Sequence, residues 1–155
     1  MKIEEQVVSL ELAKQLKDAG YPRNESSFYW ILPKQYEQYI LAYKDGIRFI
    51  TINTNFRFDR TFKDNILHGG WHCLDVIAAP TVAELGEKLP FRIREQDNDY
   101  WLYIQKLKHG GWDIRYKTSD GLIHGKFHPD GIRQGDTEAD ARAKMWLYLK
   151  EKNLL

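Results

Sequence analysis

Residues 100–117 read Tyr-Trp-Leu-Tyr-Ile-Gln-Lys-Leu-Lys-His-Gly-Gly-Trp-Asp-Ile-Arg-Tyr-Lys. Aromatic and β-branched side chains dominate both halves, and such residues fit a pleated, half-buried surface. Gly110-Gly111 separates the halves and supplies backbone that tolerates positive φ. The stretch therefore predicts two strands, 100–108 and 112–117, joined as a hairpin.

Working outward, the same grammar recurs. Asp45-Gly46 lies between the β-prone runs 39–43 and 47–53, a strong short-range hairpin signal. The run 35–43 also matches a helical period through Tyr36, Ile40 and Tyr43, but strand is the preferred reading. An aromatic strand, Phe28-Tyr29-Trp30-Ile31-Leu32, precedes it and stops at Pro33. Phe56, Phe58 and Phe62 extend the sheet, followed by 65–67 and 71–78, with Gly69-Gly70 between the last two. Residues 91–94 and 122–127 complete the second β region.

Helices bracket these strands. Ser9 is a suitable N-cap for a helix over 9–19, with Leu12, Ala13 and Leu16 on one face and Gly20 and Pro22 beyond its end. Thr81-Val82-Ala83-Glu84 has the capping-box pattern and opens a short helix over 82–88, which Pro90 bounds. Thr137 caps a last helix over 138–151. Its Ala141, Met145, Tyr148 and Leu149 form the apolar stripe, and acid early with base late suits the helix dipole. The expected fold is α+β: a mainly antiparallel sheet of about five to seven strands with three helices packed on it, in the order α-β-β(-β)-α-β-β-β-α. With no linker-like or low-complexity stretch, residues 1–155 read as a single α+β domain.

Composition narrows the function. The chain has 155 residues, 43% of them hydrophobic, which rules out a wholly disordered protein. No apolar run approaches the roughly 20 residues that span a bilayer, and the start MKIEEQ lacks the features of a signal peptide. The expectation is a cytoplasmic protein with no membrane association. Basic and acidic residues number 23 and 22, a formal net charge of +1. Such balance provides no global field for a polyanion, which makes nucleic acid an unfavoured partner. The single cysteine, Cys73, excludes an internal disulfide and fits a reducing compartment.

Chemistry-bearing motifs are few. Gly-rich phosphate loops, the Gly-x-Ser-x-Gly elbow and His-Glu-x-x-His are absent, so no catalytic residue and no cofactor is expected. His68/His72 and His124/His128 have His-x-x-x-His spacing. On a strand His124 and His128 would stand roughly 13 Å apart, too far for one ion whose bonds to nitrogen are about 2 Å long. His72 and Cys73, as strand neighbours, should face opposite sides. No metal site is expected. Glu95, Asp97 and Asp99 read as a solvated turn. His-Gly-Gly-Trp occurs at 68–71 and again at 109–112, as either a duplication or two independent turns.

The layout resembles a loose group of short, uncharacterised phage and prophage proteins. The shared features are the Ser9, Glu11, Ala13, Lys14, Lys17 helix, the Phe28-Tyr29-Trp30 strand, Ala79-Pro80-Thr81 with Glu84-Leu85 and Leu89-Pro90, and the helix from Glu138 to Met145. The resemblance implies a bacterial mobile-element setting and carries no catalytic residue.

The sequence points to a non-enzymatic interaction or structural module with an unknown protein partner, or to self-association. Trp30, Trp71 and Trp112 are candidate surface anchors, with Lys106, Lys108 and Arg115 as candidate binding cations. Two alternatives remain. One is a weak single-strand nucleic-acid binder using Lys106, Lys108, Arg115 and Lys117 interleaved with Tyr103, Trp112 and Tyr116. The other is a small His-based metal-dependent hydrolase.

Overall fold

The computed structural model describes residues 2–34, 37–45, 48–52, 57–61, 66–68, 71–95, 97–121 and 132–155. The side chains of 45, 48–51, 57–61, 66–68, 71–73 and 132 lie outside what it describes. Two compact units emerge, Ser9–Thr81 and, together, Met1–Val8 and Val82–Leu155.

The first unit begins with α1 (Leu10–Asp18), followed by β1 (Phe28–Pro33), β2 (Ile40–Asp45), β3 (Arg48–Thr51), β4 (Arg57–Thr61), β5 (Ile66–His68) and β6 (Trp71–Ala78). Ser9 holds the N-cap position of α1, yet its side chain makes no capping hydrogen bond. At the other end Gly20 takes φ +85°, and the Tyr21 N–H donates to the Leu16 carbonyl, which closes the helix as expected. Each strand pairs antiparallel with the next. β6 also pairs antiparallel with β1, so the six strands close into a barrel. An even-numbered meander ends with its last strand running opposite to its first, which is the orientation this closure uses.

Register sets the packing, because directly opposed residues share a face. Tyr29 lies opposite Ala42 and Ala78, and Ile31 opposite Ile40 and Val76. These residues form one buried cluster, with the Tyr29 ring over two alanines. On the other face Trp30 lies between Leu41 and Ile77. Residues 40–45 are strand, so the preferred reading of that run stands.

Asp75, on β6, accepts hydrogen bonds from Lys17 Nζ (3.0 Å) on α1, the Tyr39 hydroxyl (3.0 Å) and the Val76 N–H (2.8 Å). Burial alone would raise its carboxyl, but the hydrogen bonds from Lys17 and Tyr39, the Lys17 charge and the Val76 amide outweigh burial and hold it below the usual carboxylate value. A depressed carboxylate contributes stability above its unfolded-state value, and that contribution disappears as pH falls through the folded one. Asp75→Asn is therefore expected to lower the urea midpoint at pH 7. The gap to wild type should close as acid protonates Asp75 in the parent, and a gap independent of pH would contradict the assignment.

The second unit contains a short 3-10 turn (Ile3–Glu5), α2 (Val82–Lys88), β7 (Arg92–Glu95), β8 (Asn98–Lys106), β9 (Trp112–Lys117), β10 (Ile132–Gly135) and α3 (Glu138–Glu151). The Val82 N–H donates to the Gln6 carbonyl and ties the 3-10 segment to the start of α2. The four strands form an antiparallel sheet in the order β10-β9-β8-β7. Its inner face carries Ile93, Tyr100, Leu102, Ile104, Ile114 and Tyr116, matched by register, while α3 packs on β9 and β10 and also on α2. Contact on two sides explains why α3 buries Ala139, Ala141, Ala143, Met145, Trp146, Tyr148 and Leu149 rather than one narrow stripe. Thr137 caps α3 as expected, its Oγ1 accepting from the Asp140 N–H at 3.1 Å.

The α+β class, the three helices and the antiparallel pairing agree with the sequence reading. The strands are divided between two sheets, and β10 and the 3-10 turn are additional elements. The expected strand over 122–127 lies outside the described residues.

Candidate functional site

The β8–β9 hairpin closes through Gly110 (φ +92°) and Gly111 (φ +80°). Both values lie in the left-handed region where glycine is at no disadvantage. The hairpin register places Lys106 opposite Trp112, Ile104 opposite Ile114, Tyr103 opposite Arg115 and Trp101 opposite Lys117. Alternation along the strands then sorts the side chains into two faces. Tyr100, Leu102, Ile104, Ile114 and Tyr116 point towards the helices, whereas Trp101, Tyr103, Arg115 and Lys117 occupy the outward face.

On β7, Arg92 lies opposite Trp101, and Arg94 opposite Asp99. A row of Arg92, Trp101 and Lys117 thus crosses three strands on the outward face. The Arg92 guanidinium is 5.7 Å from the Trp101 ring centroid, and the Phe91 ring meets Trp101 edge-on at 5.3 Å. In the next row the Lys117 ammonium sits 3.6 Å from the centre of the Tyr103 ring. Phe91 is 72% exposed and Trp101 39% exposed. Burying such a side chain is worth about 1.5–3 kcal/mol, so two large aromatics touching each other in solvent form a patch with a consequence for binding.

The electrostatics of this face differ from those of the whole chain. Asp113 is completely buried and ion-pairs with Arg115, so the Arg115 charge is largely engaged by its own strand. Arg92 lies 3.6 Å from Asp99 across a solvent-exposed gap, a geometry that contributes little. Arg94 and Lys117 add positive charge without a carboxylate within ion-pair distance among the described residues.

The residues singled out from sequence separate in space. Lys106 and Trp112 come together as register partners on the inner face. They line a cavity of about 210 Å³ at the start of α3, together with Glu5, Gly111, Asp136 and Glu138. Lys108 is exposed beyond the end of β8, and Arg115 lies on the opposite face from Lys106 and Trp112. Trp30 is half-buried on β1, between Leu41 and Ile77, and Trp71 begins β6, its side chain outside the described residues. Tyr116 is buried, its hydroxyl donating to the Pro90 carbonyl, and burial raises its phenol well above the ordinary value. It serves the core.

Phe91, Arg92, Trp101 and the placement of Lys117 beside Tyr103 were missed as a group. Their signal is the shared parity of Trp101, Tyr103, Arg115 and Lys117, visible once the inner face of the hairpin is known. The strands flanking the two His-Gly-Gly-Trp copies differ in register, with Leu67 opposite Trp71 and Lys106 opposite Trp112. His109 is exposed. The side chains of His68, His72 and Cys73, and all of His124 and His128, lie outside the described residues. Comparison with protein-family models, curated proteins and solved structures finds no match to this chain.

Proposed function

We propose that this chain is a non-enzymatic interaction module of phage or prophage type, which acts through the outward face of β7, β8 and β9. The observation that carries this reading is the exposed Phe91–Trp101 contact, flanked by Arg92 and Lys117. The inner face of the same sheet is filled by the helices, so this pair is not a residue of incomplete core packing. It sits where the start of β7 meets β8 and the end of β9, and large aromatics held on strands are effective anchors at low entropic cost. The phage or prophage setting is supported by the resemblance of the helix caps, the aromatic strand and the closing helix.

Self-association through the β7 edge of the sheet is the weaker form of this reading. β7 is one of the two edge strands, and its exposed Arg92 and Arg94 place like charges where a second copy would pair.

Affinity capture from a bacterial lysate tests the reading, using wild type and Phe91→Ser/Trp101→Ser with both protein and nucleic acid identified in the eluates. Both positions are exposed, so the variant should keep the wild-type circular dichroism spectrum. Material retained by wild type should be lost from the variant. Identical retention by the two proteins would refute the assignment of the face.

A further inference from the structure

Resting on that reading, we infer that the occupant of the outward face is single-stranded nucleic acid, with bases stacked against Trp101 and Phe91 and phosphates held by Arg92, Arg94 and Lys117. The chemistry follows from the order of groups across the sheet. Arg92, Trp101 and Lys117 are direct register partners, which puts a cation on each side of the exposed indole. A single strand alternates flat, apolar bases with anionic phosphates, and this row offers the complementary sequence of surfaces. Tyr103 lies two residues from Trp101 on the same strand, about 7 Å further along, and extends the aromatic track past Lys117.

A protein partner would match this face less well. The exposed aromatics are bordered by Arg92 and Lys117, and of the carboxylates on the three strands Asp113 is ion-paired with Arg115 while Asp99 lies 3.6 Å from Arg92. A duplex fits less well again, because its bases are stacked on each other and leave no face for Trp101. The overall charge of +1 does not oppose the inference. The cations are local to this face, and stacking provides a contribution that does not depend on the protein's net field.

The test is fluorescence anisotropy of a labelled oligothymidylate of about 12 nucleotides, a length within the range bound by small single-strand domains. Binding should appear at about 50 mM salt and weaken steeply towards about 200 mM. Trp101→Ala should raise Kd about tenfold or more, whereas Trp101→Phe, which keeps a stacking face, should recover most of the affinity. Lys117→Gln should reduce the slope of log K against log salt by about one. Leu74→Ser alters an exposed apolar residue of the other unit and should leave binding unchanged. Absence of binding at low salt, or equal competition by a duplex of the same length, would overturn the inference. If capture depends on Phe91 and Trp101 but retains only protein, the nucleic-acid assignment fails and the interaction reading stands. If capture is insensitive to them, the reading of the face fails first.

Discussion

Gly135→Ala is expected to destabilise the second unit by about 3 kcal/mol, at the upper end of the usual overpacking cost. Gly135 ends β10, immediately before the turn into α3. A Cβ built there would lie 2.5 Å from the Ala141 N and 3.0 Å from both the Asp140 carbonyl carbon and the Thr137 carbonyl oxygen. All three are backbone atoms, so no side chain can rotate away to relieve the contact. Moving α3 instead would disturb several constraints together. The Thr137 cap on Asp140 fixes its first turn, the Ala141 N–H donates to the Thr137 carbonyl at 3.1 Å, and Lys144 Nζ donates to the Gln134 carbonyl at 2.7 Å. Gly111, in the β8–β9 turn, also comes close to this point: an added Cβ there would lie 3.0 Å from the Gly135 carbonyl oxygen. Thermal unfolding should show a fall of roughly 10 °C or more for a unit of this size. A change within about 0.5 kcal/mol of wild type, typical of a surface substitution, would contradict the packing of β10 against α3.

Tyr29→Ala should cost the first unit about 3–5 kcal/mol, as truncation of a fully buried aromatic does. Tyr29 is 0% exposed and faces Ala42 and Ala78, whose small side chains accommodate its ring. With alanine at all three positions, neither neighbouring strand has a side chain large enough to fill the space. The Tyr29 hydroxyl also donates to the Arg23 carbonyl at 3.0 Å and anchors the segment between α1 and β1. Tyr29→Phe removes that bond alone and should cost about 1 kcal/mol. Urea unfolding followed by far-ultraviolet circular dichroism separates the two effects. Equal losses for the alanine and phenylalanine variants would mean that the ring does not fill the β1–β2–β6 core.

Local signals were enough for most individual elements. The caps, Gly and Pro positions around α2 and α3 delimit those helices because capping chemistry operates within one turn. The β8–β9 hairpin was legible because Gly110-Gly111 lies between two aromatic runs. Closure of the barrel was not, because pairing of β1 with β6 joins residues such as Tyr29 and Ala78 that no local pattern connects. β10 was equally silent, since its Ile-Arg-Gln-Gly has one apolar residue and its stability comes from pairing with β9 and contact with α3.

The proposed face was half legible. Sequence spacing located basic and aromatic residues on the β8–β9 hairpin, but Tyr100-Trp101-Leu102-Tyr103-Ile104 is apolar at every position. A strand without polar alternation does not reveal which face is covered. Packing of α3 on β9 makes that choice, placing half-buried Trp112 on the covered face and leaving Trp101 outside with Arg92 and Lys117. Phe91 gave no signal, since a phenylalanine after Pro90 reads as ordinary strand entry.

The most direct measurement is an amide chemical-shift map of the whole protein during titration with the same oligothymidylate. The largest changes should fall on β7, β8 and β9 around Phe91, Arg92, Trp101, Tyr103 and Lys117, with the Trp101 indole N–H among them. Changes centred instead on the cavity beside Lys106 and Trp112, or on α1 and β1, would contradict the outward sheet face as the interaction surface.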